Sequence, residues 1–453
     1  MVGQELAKYI SELSYEDLPD EVVYQSKRLL LDTIATIFAG AGEDFTQSIS
    51  TFISKIDNNP ECTIIGREHK AGFLWAAFAN AAFSQVHDFN DGHRGSGISL
   101  LSASPIWGGC YHAARIVVPT ALAVGEKYAL SGKEVLTAIV VGLDVAYKIR
   151  GVKHRPPAEA YSTAAVAAKL MGLNETEILN ATGIAGYMSS GKVGKGPSYS
   201  SDYLVHGYFA KTGIEAAMLA AEGCTGPLLY DDSVLSTRFN EKGLWKEFEV
   251  MKTYLKPYPA CRVTHGAIDA VLALKKEKGL VASDVEEIEI RLVTQGMYVA
   301  SERLNTSSYY KNCQYNIYYS VACALIDGEV SLKQFTKERI ADPRVHEFSR
   351  TIKVLPDESL DVYYPDKSPV VVIIRTKDGN TYTQRVDYAK GGTQNPLTDD
   401  ELLEKFMQCS EKSISEERAL YIRDAVFKLD EMPDLTGLVG YMSSTGEKRD
   451  EVE

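Results

Sequence analysis

"LKPYPACRVTHGAIDAVLALKKEKGLVASDVEEIEIRLV", Leu255 to Val293, changes its period part-way along. Its first half reads as a helix that ends in the run of lysines before Gly279. Its second half, "VEEIEIRLV", alternates apolar and polar as a half-buried strand does. Working outward, almost no period-two alternation occurs before residue 255. Downstream, "SPVVVIIRTKDGNTYTQRVDYAKGG" reads as two strands joined around Asp378 and Gly379, with a helix, "NIYYSVACALIDGEVS", ahead of them. After Pro396, "LTDDELLEKFMQC" and "SEERALYIRDAVFKL" return to helical periodicity. The expectation is a mainly α fold with an α+β insert, in which a large all-helical domain carries a smaller α/β lid domain. The boundaries fall at 1–260 for the first helical part, 261–395 for the lid, 396–440 for the helical return and 441–453 for a charged tail.

The helical part is well punctuated. "EVVYQSKRLLLDTIATIFAG" puts Leu30, Ile34, Ile37 and Phe38 on one face, with Gly40 as the expected stop. Ser131 with Glu134, and Asn174 with Glu177, form capping boxes ahead of apolar runs. Alanine-rich stretches such as "STAAVAAKLMGL" let helix axes approach closely.

The 453 residues are 45% hydrophobic and 24% charged, ample for a large core. A formal charge of −13 argues against nucleic acid or an anionic membrane as partner, since both need a basic surface. No run of 18 apolar residues and no secretory leader pattern is present, so a cytoplasmic protein is expected. The seven cysteines are scattered without a C-x-x-C pair, which fits reduced thiols. The sequons at Asn174, Asn180 and Asn305 then read as chance matches.

Chemistry concentrates in "HDFNDGHRGSGISL", His87 to Leu100. It imitates a calcium loop only briefly, because Gly92, His93 and Ser99 stand where an oxygen ligand, a glycine and a glutamate are needed. With no H-E-x-x-H either, no metal is expected. "GYMSSGKV", Gly186 to Val193, approaches a phosphate loop but has Val193 in place of the hydroxyl and follows a helix. Lys192 and Lys195 in that glycine-rich segment are instead candidates to meet an anionic substrate. No G-x-S-x-G elbow or cysteine nucleophile motif occurs. Four of the eight histidines, His93, His112, His154 and His265, lie beside glycine, arginine or tyrosine, which points to acid/base chemistry.

Several stretches together resemble the MmgE/PrpD family, which includes 2-methylcitrate dehydratase, cis-aconitate decarboxylase and iminodisuccinate epimerase. They are "KRLLLDTIATIFAG", "NAAFSQVHDFNDGHR", "VVPTALAVGEKYALSGKEVLTAIVVGLDV", "AAVAAKLMGL", "AKTGIEAAMLAAEG", "LKPYPACRVTHGAIDA", "YYSVACALIDG" and "NPLTDDELLEKF", in family order. The resemblance implies a helical domain with an α/β lid, a site between them, a homodimer, a small-molecule substrate and no cofactor. It places the family's D-x-D-D segment on Asp88, Asn90 and Asp91, followed by His93 and Arg94. His112 matches a histidine seven residues before a proline. His265 matches the histidine of the "yPaC...tH" segment, with Lys256, Cys261 and Arg262 upstream. Tyr319 matches the tyrosine before "DG", and His154 lies near another family histidine.

The chemistry implied is removal of a proton next to a carboxylate or carbonyl, which needs a base, an acid and cations on the developing charge. His112 or His265 is the expected base, with another histidine or Tyr319 as acid. Arg94 and Arg262 are expected to hold a carboxylate, and Asp88 and Asp91 to orient the basic groups. A dehydratase-like lyase is the first expectation, with an epimerase, a decarboxylase or a non-catalytic binding relative as alternatives. The sequence departs from the family in five places. "HAA" replaces H-P-G at His112, and Gly95 to Tyr111 is an uncharged insertion. Gln85 replaces a histidine, and a tyrosine-dense run spans Ser307 to Ser320. The family lysine of the middle loop has no secure counterpart, which argues against cis-aconitate decarboxylation in particular.

Overall fold

The computed structural model describes residues 2–94, 110–148, 158–189, 201–227, 247–301, 310–364 and 366–444. It is mainly helical with small sheets, as the periodicity predicts. The early helices are α1 (Val2–Glu12), α2 (Asp20–Ala41), α3 (Asp44–Ile56), α4 (Phe73–Ser84), α5 (Ala114–Tyr128), α6 (Gly132–Lys148), α7 (Ala158–Leu170), α8 (Glu175–Met188) and α9 (Ser201–Ala221). Two hydrophobic cores organise the chain. One joins α1 to α9 with the returning helices Asp399–Ser410 and Glu416–Phe427; the other runs from Ala260 to Ile374.

α2 is buried almost along its whole length, which its near-continuous apolar run requires. The helix runs through Gly40 to Ala41, so the expected stop comes two residues early; Gly42 is the cap. The capping box at Asn174 and Glu177 forms, and Thr398 with Glu401 makes another at the start of the returning helix.

In the second core, β6 (Val285–Leu292) pairs parallel with β7 (Ile352–Pro356) and antiparallel with β8 (Val370–Thr376), which turns into the edge strand β9 (Thr381–Val386). Along β8 alternate side chains are buried, whereas β6, read as the alternating strand, buries Ile288, Glu289 and Ile290 in succession because it is central in the sheet. The helix His265–Lys278 covers this sheet and packs beside the helix Ile317–Asp327.

The sequence reading missed the short pairings of the helical part. β1 (Cys62–Thr63) pairs with β2 (Lys70–Ala71). β3 (Gly92–Arg94) lies between β4 (Cys110–Tyr111) and β5 (Thr253–Tyr254). Strands of two or three residues leave no alternation to read, yet β3 and β4 bring His93 and His112 to the base of the inserted segment. The connections between the cores run side by side: the Leu255 amide donates to the Gly391 carbonyl at 3.0 Å. Gly391 has φ +86°, and a Cβ there would sit 1.8 Å from the Leu255 carbonyl oxygen, so only glycine fits.

Candidate active site

Between α4 and β3 the chain makes a turn that buries Asp88, Asn90, Asp91 and His93. Asp88 takes φ +49°, an uncommon conformation for a residue with a side chain. Lys256 holds it there: its ammonium sits 2.9 Å from the Asp88 carboxylate and donates to the Asp88 carbonyl at 2.7 Å. Lys405, from the returning helix, reaches the same turn from behind. It pairs with Asp32 of α2 at 2.6 Å and donates to the carbonyls of Phe89 at 2.7 Å and Lys256 at 3.0 Å. Burial pushes the Asp32 carboxyl up, against the pull of Lys405. The Tyr315 hydroxyl approaches the other Asp88 oxygen at 3.3 Å.

Asp91 accepts from the Tyr147 hydroxyl at 3.0 Å and the Ala114 amide at 3.3 Å, while its Oδ1 has no hydrogen-bond partner. Burial raises its carboxyl to about 6, the Tyr147 bond pulling the other way. His112 bonds through Nδ1 to the Asp91 carbonyl. A carbonyl only accepts, so Nδ1 carries the proton and Nε2 the lone pair of the neutral ring. His93 stacks on Tyr147, ring centroids 4.0 Å apart, and its Nε2 lies 2.8 Å from Glu249. Burial alone would raise the Glu249 carboxyl, but the bond and charge of His93, with Lys252 and Lys148, hold it at about 2. Gly92 lets Tyr254 pack close, because a Cβ would lie 2.2 Å from the Tyr254 ring and displace it.

The structure therefore brings together Asp88, Asp91, His93, His112 and Lys256. Arg262 and His265 lie at the crossing between the cores. The guanidinium donates to the carbonyls of Lys390 at 2.5 Å and Ala389 at 2.8 Å, and lies over the Tyr254 ring. His265 is fully buried. Its Nε2 donates to the Ala260 carbonyl at 3.0 Å, and its Nδ1 faces Arg262 at 3.3 Å. Burial, then the charges of Arg262 and Lys256, push its pKa well below the ordinary range. Tyr319 is buried in the second core, where its hydroxyl donates to the Gln334 carbonyl. Arg94 contributes its backbone to β3. His154, Lys192, Lys195 and residues 95–109 of the insertion lie outside the described residues. Among the described residues no three His, Cys, Asp or Glu side chains converge to hold a metal ion.

The family's N-terminal domain matches residues 4–230 and its C-terminal domain residues 258–431. The chain belongs to the MmgE/PrpD family. It is 25% identical to the cis-aconitate decarboxylase-like protein oryM of Aspergillus oryzae, over 98% of this chain and 97% of that one. Identity to the cis-aconitate decarboxylase of Mus musculus is 25%, over 96% and 92%. Identity to the 2-methylcitrate dehydratase of Escherichia coli is 23%, over 71% of each chain. Both kinds of MmgE/PrpD relative are enzymes named for small carboxylic acids.

Sequence reasoning missed Asp32, Tyr147, Glu249, Tyr315 and Lys405 around this MmgE/PrpD site. Only Tyr315 carried a signal, as a member of the tyrosine-dense run. Asp32 and Lys405 lie within the quoted stretches "KRLLLDTIATIFAG" and "NPLTDDELLEKF" but carry no role there, and with Tyr147 and Glu249 they become site residues only through packing.

Proposed function

We propose that this chain is a cofactor-independent lyase that removes a proton α to a carboxylate or carbonyl of a small acid and eliminates from the adjacent carbon, as a dehydratase does. The observation that carries the reading is the pair His112 and Asp91: an imidazole whose Nδ1 is held by the Asp91 carbonyl, which in the neutral ring puts the lone pair on Nε2, beside a buried carboxyl raised to about 6. His112 takes the proton from carbon. Asp91, which holds its proton up to about pH 6, gives it in that form to the departing hydroxyl, which leaves as water. Lys256 and Asp88 fix the turn that carries Asp91. His93, bonded to Glu249 through Nε2, orients Tyr147 rather than serving as the base. His265 and Arg262 are assigned to positioning the crossing between the cores, because the described bonds occupy both His265 nitrogens. Tyr319 supports the second core in this scheme.

A second reading, decarboxylation, is favoured by one observation: the decarboxylase relatives match nearly the whole chain, the dehydratases 71% of it. The proposal keeps the domain division at 260/261 and 395/396, which the two cores support, and a homodimer in the cytoplasm. Incubation with cis-aconitate, 2-methylcitrate and larger cyclic or aromatic acids, followed by NMR, tests the reaction. An alkene plus water supports the lyase reading, and carbon dioxide supports the second. A stereoisomer alone would make the chain an epimerase. No change in any of them would overturn the assignment to this substrate class.

A further inference from the structure

Buried cations around the site are almost all matched to acids. Lys256 meets Asp88 at 2.9 Å, Lys405 meets Asp32 at 2.6 Å and Lys148 meets Asp144 at 2.8 Å. Arg115 breaks the pattern. It stands in the first turn of α5, two residues beyond the end of the segment that carries Asp91 and His112 into that helix, and is 7% exposed. Its Nη1 donates to the Gln85 side-chain oxygen, a neutral acceptor shared with Asn90 at 3.2 Å. Its Nε is buried with no hydrogen-bond partner. Asp91 is near enough for Arg115 to lower its pKa, but no carboxylate among the described residues lies in ion-pair contact with the guanidinium.

A buried guanidinium is costly unless its donors are met, and an unmet one calls for an explanation. The fork that grips a carboxylate side-on consists of Nε and Nη2. Gln85 occupies Nη1, on the other side, and Nε, one of the two donors of the carboxylate-binding edge, is left without an acceptor. We infer that Arg115 receives a carboxylate of the substrate, making this site selective for acids that carry a second carboxylate beyond the reacting centre. The inference rests on the proposed chemistry and narrows its substrate class. Neither the D-x-D-D pattern nor the histidines pointed to Arg115.

The test is calorimetric titration of the full chain with tricarballylate, an unreactive tricarboxylate, and with butyrate as a monocarboxylate control. The wild type is expected to bind tricarballylate well above butyrate. Arg115→Gln should weaken tricarballylate by about 10- to 100-fold and leave butyrate unchanged, with Arg115→Lys in between. Gln85→Glu keeps the arginine but supplies an internal carboxylate, so it should weaken tricarballylate similarly while raising the melting temperature. This variant guards against loss of fold in the arginine variants. Undiminished tricarballylate binding by both Arg115→Gln and Gln85→Glu, or no tricarballylate binding by the wild type, would overturn the inference. Arg115-dependent binding without any proton exchange would instead leave the anion subsite standing and remove the lyase reading.

Discussion

Asp91 makes a testable bargain between stability and chemistry. Its carboxyl is raised from 3.8 to about 6 in the folded chain by burial. Below pH 4 both folded and unfolded states hold the proton and nothing is gained or lost. Between the two values the unfolded state has ionised and the folded state has not, so stability falls as pH rises, and above pH 6 the loss is complete. Asp91→Asn keeps the shape and removes the ionisation. It should therefore be more stable than the wild type at pH 8 by up to about 3 kcal/mol, equal to it near pH 4, and much less active. Denaturant melts at the two pH values, with turnover, check this. Asp88, Asp91, His93, His112 and Lys256 were legible because acids, histidines and lysine are dense and in family order there. Arg115 was not legible, since one arginine in a helix says nothing until its missing partner is seen.

At the scale of elements, Lys405 ties the returning helix to α2, to the turn carrying Asp88 and to the crossing segment. Lys405→Met should cost about 3–5 kcal/mol, because it strands Asp32 as a buried charge. Adding Asp32→Asn should restore much of that stability. It should not restore activity, because the carbonyls of Phe89 and Lys256 still lack their donor. Thermal melts and turnover of the single and double variants separate these outcomes; full activity in the double variant would show that the lysine serves the fold alone. The helices and the strands β6, β8 and β9 could be read from period and capping residues. β3, β4 and β5 could not, because two or three residues cannot display a period and their pairing joins segments far apart in the chain.

For the whole molecule, a clamp ties together the two connections that join the cores. Arg262 donates to Lys390 and Ala389, and Leu255 donates to Gly391. Arg262→Gln should lower stability by about 1–3 kcal/mol and speed amide hydrogen exchange at Leu255 and Gly391, leaving β6 and β8 unchanged. Uniform acceleration throughout would mean that no local clamp exists. The insertion of one core within the other was visible in the sequence as a change of period near residue 255 and its reversal after Pro396. That Arg262 binds backbone here was not, because an arginine beside a histidine reads equally well as a substrate ligand.

The central claim is that His112 removes a proton from carbon, and deuterium exchange measures this without waiting for net turnover. In deuterium oxide the wild type should replace the α proton of a di- or tricarboxylic acid. His112→Gln should slow that exchange by about 10²- to 10⁴-fold with little change in melting temperature. Exchange at the wild-type rate in His112→Gln would contradict the account.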